Sequence, residues 1–531
     1  MQRRRFWQFL GAASFLPSLS SRFRLAGQQA GESGSHNGTR LLLPSLASAA
    51  PLPEAVLFAF DDRAFPFRDF VQTHLIPGDR PRLVLNHGPE GSHDEVVLYY
   101  GTVVRLGDTF HMWYNGNCRP VGGHRPVGGS RPVGGSAGYE GNHCAICYAT
   151  SKDGIQWVKP SLGLVEFNGS KDNNITDFND PNLWSSCALL HDPEDPDPGR
   201  RFKMIYEIQG PPAGTRFSAA FSSDGLRWKP SPRNPVGPAL EMAGITKFRG
   251  LYYVNGKSSG HQHVRAARKL ITFASADFEN WSPCGALGLD RSTDLFGPSI
   301  GAEGSFVGEQ VHLGAALWNR GNVIVGIYGQ WHGDPSGDRR LVTMDLGLAV
   351  SHNAIHFHEP IPGYKFIPAM EQPGSQIGIN PALQQGQGIE NVGEQTLYWY
   401  SQWRGVPGSG VRMVSWGRDR LGMLKPYQNR RPRAISCPIR VVGGQAKVYV
   451  NASGLGDQSQ LRIELMDEGF RPLPGYNGVD APVLGKDGFR IPVRWRGGDA
   501  LTASQGLVRV DVRFEGVRPE DARLYAVYVG S

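Results

Sequence analysis

Five acidic residues of this sequence share a setting that suits acid–base chemistry. Asp94, Glu95, Asp180, Glu241 and Glu303 each stand at or just before the start of an apolar run of the kind that forms a β-strand. Two carboxyl groups on either side of a glycosidic bond can hydrolyse it, because one protonates the leaving oxygen while the other activates water or attacks carbon. These acids are far apart in the sequence, so such chemistry requires a fold that gathers the starts of several strands.

A recurring segment indicates such a fold. The pattern Ser-x-Asp-Gly-apolar-x-Trp returns in progressively weaker form, each time after an apolar run, and the spacings between its anchor residues are 71, 53, 76 and 66. The anchors are Asp153, Asp224, Asp277, Asn353 and Asp419. Asp-Gly between two apolar runs is a hairpin signal, because glycine adopts the positive φ of the turn without steric cost. This repeat predicts an all-β, five-bladed β-propeller, in which the first strand of each blade lines a shared axial cavity.

Changes in composition and in hydrophobic alternation along the chain predict three segments. Residues 1–49 are expected to be a signal and tether, residues 55–433 the five-bladed propeller, and residues 434–531 a β-sandwich. The last assignment rests on long alternating runs such as 508–514, because period-two alternation buries one face of a strand and leaves the other wet. The 69 Gly and 39 Pro fit many short strands joined by turns.

The first residues resemble an export signal. Arg3, Arg4 and Arg5 precede Phe6 and an apolar stretch over 9–19, as in twin-arginine signals. The sequence therefore predicts a periplasmic or extracellular protein that uses the twin-arginine export machinery. No transmembrane segment is expected, because a spanning helix needs about 20 apolar residues. An uncleaved N-terminal anchor stays open as the alternative.

Charge and cysteine content exclude other classes of function. The formal net charge is +7, of which residues 1–49 contribute +5 through six Arg and one Glu, which leaves about +2 for the rest. A nucleic-acid partner is therefore not expected. The six cysteines are too scattered for a disulfide scaffold. No metal or cofactor is predicted: His356 and His358 share a strand face, but no third ligand is assured, and surface positions are favoured.

Several stretches resemble a known group of enzymes. Residues 57–62, 102–114, 195–204 and 492–498 are similar to exported bacterial proteins labelled as glycoside hydrolase family 32-like. The repeated body resembles the five-bladed propeller glycosidases of families 32, 43, 62 and 68, and the trailing segment resembles the sandwich behind the family 32 propeller. The resemblance implies a glycoside hydrolase with a poly- or oligosaccharide as substrate.

The resemblance also implies roles for the acids. Related enzymes take an Asp from the first blade, an Asp from the second and a Glu from a later blade as proton donor. On this basis Asp94 is the expected base or nucleophile, Asp180 the orienting acid and Glu303 the proton donor. Glu95 is a rival of Asp94, and Glu241 is a rival of Glu303.

Tryptophans near strand ends are candidates for sugar binding. Trp184, Trp331 and Trp403 stand where a cavity rim would be, and aromatic rings stack on the apolar faces of sugars. In contrast, Trp157 and Trp228 follow the repeated turns and are expected to be structural.

Two other functions stay open. The family 32 hallmark Trp-Met-Asn-Asp-Pro-Asn is missing from the first blade, and this leaves a non-catalytic carbohydrate-binding propeller as the alternative. A lyase that uses His and Tyr is a third option. A serine hydrolase is disfavoured, because the Gly-x-Ser-x-Gly match at 256–260 joins two antiparallel strands rather than a strand and a helix.

Overall fold

The computed structural model describes residues 51–118, 142–178, 180, 183–209, 215–258, 268–292, 307–338, 341–369, 381–402 and 410–530. Regular structure in these residues consists of β-strands and short 3-10 helices, which confirms the all-β prediction. The 3-10 helices are Pro198–Arg200, Gly478–Asp480, Ala503–Gln505 and Pro519–Asp521. Within the described residues, no helix has the length and apolar character needed to cross a membrane.

Four short strands begin the described chain. They are β1 (Glu54–Phe58), β2 (Phe67–Asp69), β3 (Val71–Leu75) and β4 (Arg82–Leu85).

Five antiparallel meanders follow along the chain, and we number them sheets 1 to 5. Sheet 1 contains β5 (Val96–Leu106), β6 (Thr109–Cys118), β7 (Asn142–Ser151) and β8 (Trp157–Val158). Sheet 2 contains β9 (Leu183–His191), β10 (Phe202–Gln209), β11 (Thr215–Ser222) and β12 (Lys229–Pro230). Sheet 3 contains β13 (Leu240–Phe248), β14 (Leu251–Ser258), β15 (Leu270–Ser275) and β16 (Ala286–Leu289). Sheet 4 contains β17 (Gly308–Asn319), β18 (Ile324–Gly333) and β19 (Thr343–Ser351). Sheet 5 contains β20 (Leu383–Val392), β21 (Gln395–Gln402) and β22 (Val411–Gly417), with β4 as its outer strand.

The first strands of the five sheets contact one another in a closed cycle. β5 contacts β9, β9 contacts β13, β13 contacts β17, and β17 contacts β20. The cycle closes where β20 contacts β5, through a single parallel bridge between Gln387 and Thr102.

Buried side chains of β20 and β5 hydrogen-bond to the backbone of other first strands. The Gln387 side chain in β20 accepts from the Leu317 N–H at 2.9 Å and donates to the Leu317 carbonyl at 2.8 Å, both in β17. It also donates to the Ile245 carbonyl of β13 at 3.2 Å. In the same way the Thr102 hydroxyl of β5 accepts from the Leu189 N–H of β9 at 2.9 Å.

Each first strand also carries an irregularity in its pairing with the second strand of its sheet. The register shifts lie between Leu98 and Thr102, Leu183 and Cys187, Met242 and Gly244, His312 and Ala315, and Gln385 and Ile389. Bulges bend a strand and re-aim its side chains, and they are frequent beside active sites. Functional residues are therefore expected at the starts of the first strands, ahead of these register shifts.

The repeated turn joins the third strand of a sheet to the segment that follows it. In the first copy the Asp153 carboxylate accepts the N–H groups of Ile155 and Gln156 at 2.8 and 2.7 Å, and the fourth position, Gly154, has a φ of 74°. The equivalent φ is 74° at Gly225, 71° at Phe278 and 62° at Ala354. The degenerate copies thus keep the left-handed backbone without glycine.

The remaining strands form two further sheets with a shared apolar core. The first, of seven strands, contains β1, β3, β23 (Gly422–Pro426), β26 (Gln445–Ser453), β29 (Gly488–Pro492), β30 (Leu501–Thr502) and β32 (Arg523–Gly530). The second, of six strands, contains β2, β24 (Arg433–Ile435), β25 (Ile439–Arg440), β27 (Gln460–Asp467), β28 (Val483–Leu484) and β31 (Leu507–Glu515). Buried side chains of both sheets, such as Val450 and Val512, pack in one cluster.

Strands β1 to β3 pair with strands from the C-terminal part of the chain. Glu54 is opposite Gly530, and Phe67 is opposite Ile435. The sequence analysis placed these residues with the repeated body, because the local alternation of a strand does not identify its distant partner.

Candidate active site

Five of the eight predicted site residues have described side chains. Glu303 and Trp403 lie outside the described residues, and Trp184 lies in β9 at a position whose side chain is not described. The remaining residues are Asp94, Glu95, Asp180, Glu241 and Trp331.

Asp94 is a buried carboxylate held by three side chains. It lies two residues before β5 and is 2% exposed. The Lys159 ammonium lies 2.5 Å from its Oδ2, the Tyr114 hydroxyl donates to the same oxygen at 2.8 Å, and the Ser92 hydroxyl donates to Oδ1 at 3.3 Å. Burial opposes ionisation, but Lys159, His93 and Tyr114 outweigh it and lower the pKa of Asp94. Asp94 is therefore an ionised carboxylate at neutral pH.

The partners of Asp94 belong to a wider polar network. The Asn174 amide donates to the Tyr114 hydroxyl at 2.8 Å, and its oxygen lies 2.5 Å from Nε2 of His93. Burial raises the pKa of Tyr114 well above its ordinary value, so its hydroxyl stays protonated and can donate. Asp94 is thus fixed in position, as a catalytic group requires.

The rival acid Glu95 has a different setting. Its carboxylate accepts the Gly91 N–H at 3.1 Å, within the loop that precedes β5. This contact supports the loop conformation, so the geometry favours Asp94 over Glu95 as the reacting group.

Asp180 has the same kind of partner as Asp94. It precedes β9, and the Tyr206 hydroxyl of β10 donates to its Oδ2 at 2.6 Å. The Asn234 amide donates to that hydroxyl at 2.9 Å. Burial and the neighbouring Asp180 carboxylate raise the pKa of Tyr206, which keeps the hydroxyl protonated. In sheets 1 and 2, an acid before the first strand is therefore held by a tyrosine of the second strand.

In sheets 3 and 4 the corresponding carboxylate belongs to the second residue of the first strand. Glu241 is opposite Lys257 of β14, and its Oε2 lies 2.5 Å from the Lys257 ammonium. Glu309 is opposite His332 of β18, and its Oε1 lies 2.8 Å from Nδ1 of His332. Four consecutive first strands therefore begin with a carboxylate that is held from the second strand of the same sheet.

Sheet 5 breaks this pattern. The equivalent position is Gln384, opposite Ser401, whose hydroxyl donates to its Oε1 at 3.3 Å. A neutral amide therefore stands where the other four sheets carry an acid.

Glu309 was not among the acids that the sequence predicted. The sequence analysis took Glu303 for this blade, six residues earlier. The signal that identifies Glu309 is the match between Leu-Glu at 240–241 and Gly-Glu at 308–309, each two residues into the first strand. Glu303 and Glu309 both precede the same apolar run, so the sequence alone does not distinguish them, and the start of β17 is needed to do so.

His332 joins two carboxylates of sheet 4. Its Nε2 lies 2.9 Å from Oδ2 of Asp345, a fully buried residue of β19, while Nδ1 faces Glu309. Burial opposes protonation, but Asp345 and Glu309 outweigh it and raise the pKa of His332. The Arg291 guanidinium contacts Glu309 at 2.7 Å. Burial opposes ionisation of Glu309, but His332 and Arg291 outweigh it and lower the pKa of Glu309, whose side chain is 39% exposed.

Trp331 does not have the role that the sequence predicted. It is fully buried beside Val342 and Met344, the Arg268 guanidinium lies 4.0 Å from its ring centroid, and the His312 ring stacks at 5.7 Å. Protein side chains occupy its faces, so Trp331 has no free ring face for a sugar. The error has a physical reason: β18 is buried on both faces up to Trp331, so position near a strand end does not expose this ring.

Comparison with known proteins found similarity only to solved structures among the three kinds of comparison. No family model matches this chain, and no curated protein matches it. One similar solved structure comes from work on the GH130 family of mannoside phosphorylases, which contains glycoside hydrolases that target β-1,2 mannosidic linkages in Candida mannan. It is 16% identical, covers 61% of this chain and 85% of its own, and has a TM-score of 0.39.

Two further solved structures are of the same general kind. A thermostable family-43 glycoside hydrolase is 10% identical over 66% of this chain and 95% of its own, with a TM-score of 0.36. A β-1,2-mannobiose phosphorylase from Listeria innocua is 11% identical over 61% of this chain and 91% of its own, with a TM-score of 0.38. At these values the likeness assigns this chain neither a family nor a substrate.

Proposed function

We propose that this protein is an exported glycoside hydrolase that cleaves a poly- or oligosaccharide with carboxylates at the hub of a five-bladed β-propeller. In this proposal, sheets 1 to 5 are the blades, and the two sheets built from N- and C-terminal strands are the β-sandwich. The closed cycle of contacts among β5, β9, β13, β17 and β20 supports the propeller. The apolar core shared by the other two sheets supports the sandwich.

One observation carries the functional proposal. Asp94, Asp180, Glu241 and Glu309 stand at the starts of four consecutive first strands, and each is fixed by the second strand of its own sheet. Surface turn acids do not need such supports. Glycoside hydrolysis requires carboxylates that are held rigidly on either side of the scissile bond, and carboxylates from neighbouring sheets can meet this requirement.

The surroundings of each carboxylate suggest its catalytic role. Asp94 is buried and ionised, which suits a base or nucleophile. Asp180, held by Tyr206, is the orienting acid. Glu303 is the proposed proton donor, and Glu241, at the start of the first strand of the preceding sheet, is its rival.

Reaction with a substrate panel tests the proposal. We would incubate the native protein and the variants Asp94→Asn, Glu241→Gln and Glu303→Gln with a panel of plant, algal and fungal polysaccharides and measure released sugars by chromatography. The matched control is Asp108→Asn, a carboxylate in the exposed turn between β5 and β6 of the same sheet. We expect Asp94→Asn and one of the two Glu variants to lose sugar release by about 10²-fold or more, while Asp108→Asn keeps it. Equal release by all variants would refute the site.

A phosphate arm separates two reaction types. The same assay with and without inorganic phosphate distinguishes hydrolysis, which releases free sugar, from phosphorolysis, which releases a sugar phosphate. We expect free sugar in both arms. A sugar phosphate that forms only with phosphate would replace the hydrolase by a phosphorylase.

A non-catalytic carbohydrate-binding propeller is the second candidate function. The observation that favours it is that Lys159 and Lys257 already neutralise Asp94 and Glu241 by direct ion pairs. Calorimetry with the same polysaccharides decides between the candidates. Binding without any released product, unchanged in Asp94→Asn, would favour the binding module.

Export is a separate part of the proposal. It is supported by Arg3, Arg4 and Arg5 ahead of the apolar stretch over 9–19. Fusion of residues 1–50 to a reporter that is active only after twin-arginine export tests it. Export that is lost when all three arginines become lysines supports the signal, and export that survives this change refutes it.

A further inference from the structure

Two aspartates and a histidine from distant parts of the chain meet beside sheet 4. Asp61 and Asp62 follow β1, and His358 lies opposite Val350 of β19 in an isolated antiparallel bridge. One ligand atom from each of Asp61, Asp62 and His358 lies within 4.8 Å of the other two. The sequence analysis expected His358 to be a surface position for lack of a third ligand, and the fold supplies two carboxylates.

The ligand atoms of this cluster lie within ion-pair distance of His358. Nε2 of His358 is 3.0 Å from Oδ1 of Asp62 and 3.8 Å from Oδ1 of Asp61. Despite these short distances, neither ring nitrogen of His358 makes a hydrogen bond within the described part of the chain, although both atoms are buried. Ligand atoms at these separations can bind one common ion, as metal ligands do.

The charges around Asp61 and Asp62 also favour a bound cation. The Asp61 side chain is only 1% exposed, and in the described residues the groups within ion-pair distance of Asp61 and Asp62 are the histidines His352 and His358, while Arg68 interacts with both aspartates electrostatically. Burial of a carboxylate next to a second carboxylate is costly unless a cation compensates them. A bound cation would supply this compensation.

His352 supports the cluster from outside. Its Nε2 lies 2.8 Å from Oδ2 of Asp61, the oxygen that is not nearest to His358. The Arg63 N–H donates to Oδ1 of Asp61 at 3.0 Å. These contacts fix the Asp61 carboxylate in the way that outer partners orient metal ligands.

We propose that Asp61, Asp62 and His358 bind a zinc ion, with His352 as the residue that positions Asp61. Imidazole and carboxylate together suit zinc, whereas calcium takes six to eight oxygen ligands. Ligand atoms on a tetrahedral zinc with bonds of about 2.0 Å lie about 3.3 Å apart, and the two observed separations from His358 bracket this value. Three protein ligands leave a fourth position for water. Asp62 has 66% of its side chain exposed, so this ligand of the cluster faces solvent.

The ion would join parts of the chain that are far apart in the sequence. Asp61 and Asp62 continue from a strand that pairs with β32, while His358 belongs to the segment that follows β19 of sheet 4. Zinc at this place is therefore a cross-link between the C-terminal sheets and the repeated body, separate from the carboxylates proposed for hydrolysis.

Zinc binding by the full-length protein tests the proposal. The purified protein is stripped with a chelator, dialysed against micromolar zinc chloride and analysed for metal per chain. Affinity is measured by competition with a chromophoric chelator, and thermal unfolding is followed with and without zinc. We expect one zinc per chain and a higher unfolding temperature with zinc.

Four variants make the test specific. Asp62→Asn and His358→Ala should lose the zinc and its effect on thermal unfolding. His352→Ala should weaken zinc binding by about 10- to 100-fold. His356→Ala is the matched control, because this exposed histidine lies two residues from His358, and it should bind as the native protein does. Asp62→Asn alters an exposed side chain, so a folding defect is not expected to obscure its result. No bound zinc in the native protein, or equal binding by Asp62→Asn and His356→Ala, would overturn the proposal.

Discussion

The indole N–H of Trp113 in sheet 1 donates a 2.7 Å hydrogen bond to the carbonyl of Gly225, in the repeated turn of sheet 2. The same carbonyl accepts from Trp228 of its own turn at 3.0 Å. Trp399 of sheet 5 makes the equivalent contact with Gly154 of sheet 1 at 2.8 Å. A repeated turn therefore serves a second purpose: its left-handed residue presents a carbonyl that the neighbouring sheet can bind.

Replacement of Trp113 by Phe tests this link between sheets. The change keeps an aromatic ring but removes the indole N–H, and Trp113 is 1% exposed. We expect a loss of about 1–2 kcal/mol in the free energy of unfolding, from the hydrogen bond and the smaller ring. Urea unfolding measures it. The control Tyr427→Phe alters an exposed aromatic side chain and should leave the midpoint unchanged; an equal midpoint for both variants would contradict the role of Trp113.

Lys159→Met should destabilise the protein more at pH 7 than at pH 4. Lys159 helps to hold the pKa of Asp94 below its ordinary value, so in the native protein this carboxylate stabilises the fold at neutral pH and loses that effect as the pH falls through its lowered pKa. Without Lys159, only His93 and Tyr114 oppose the effect of burial, so the pKa of Asp94 rises, and loss of the ion pair costs about 3 kcal/mol at pH 7.

Urea unfolding of Lys159→Met at both pH values checks this expectation. At pH 4 the variant can protonate Asp94 and regain part of its stability. The control is Lys152→Met, because the Lys152–Asp108 pair is exposed by 72% and 86%, and such pairs contribute little. A destabilisation that does not depend on pH would show that Lys159 acts by packing alone.

His332→Gln should remove part of the stability of the protein on the acidic side only. The pKa of His332 is raised above 6.5 in the folded state. Its contribution is therefore fully present below pH 6.5 and is lost as the pH rises through the raised pKa. Unfolding free energies at pH 6 and pH 9 should differ less in His332→Gln than in the native protein, whereas His356→Gln, at an exposed position, should behave as the native protein does. A variant with the native pH dependence would contradict this role.

Gln387→Leu should weaken the cycle of first strands. The amide of Gln387 satisfies both the N–H and the carbonyl of Leu317 and also reaches the carbonyl of Ile245. Leucine has similar volume but leaves these buried groups without that partner, which costs about 3 kcal/mol. Thermal or urea unfolding measures the loss, with Gln395→Leu at the exposed start of β21 as the control. A cost below that of Gln395→Leu would show that neighbouring strands bind each other without this amide.

The sequence predicted the features that local chemistry determines. The turn at Asp153 follows from its side chain and from Gly154, and the third strand of each of sheets 1 to 4 ends at a Ser of the repeat. Asp94 was proposed as a site residue because it stands before an apolar run. What local patterns did not determine was the partner of each group: Lys159 for Asp94, and the aspartates after β1 for His358.

The same limit explains the missed elements. β1 alternates like any half-buried strand, and its pairing with β32 depends on contacts between residues more than 450 positions apart. Phe278 and Ala354 adopt a positive φ that their residue types disfavour, because the serine and Asp or Asn before them fix the turn by hydrogen bonds. Trp331 was misassigned because its burial depends on side chains of β19.

The pairing of β1 with β32, and of β4 with β22, has a consequence for biosynthesis. The earliest strands can find their places only after the latest ones have left the ribosome. During most of translation they are edges without neighbours, open to association with other chains. A cell that makes this protein therefore needs either rapid late folding or a chaperone that shields these edges.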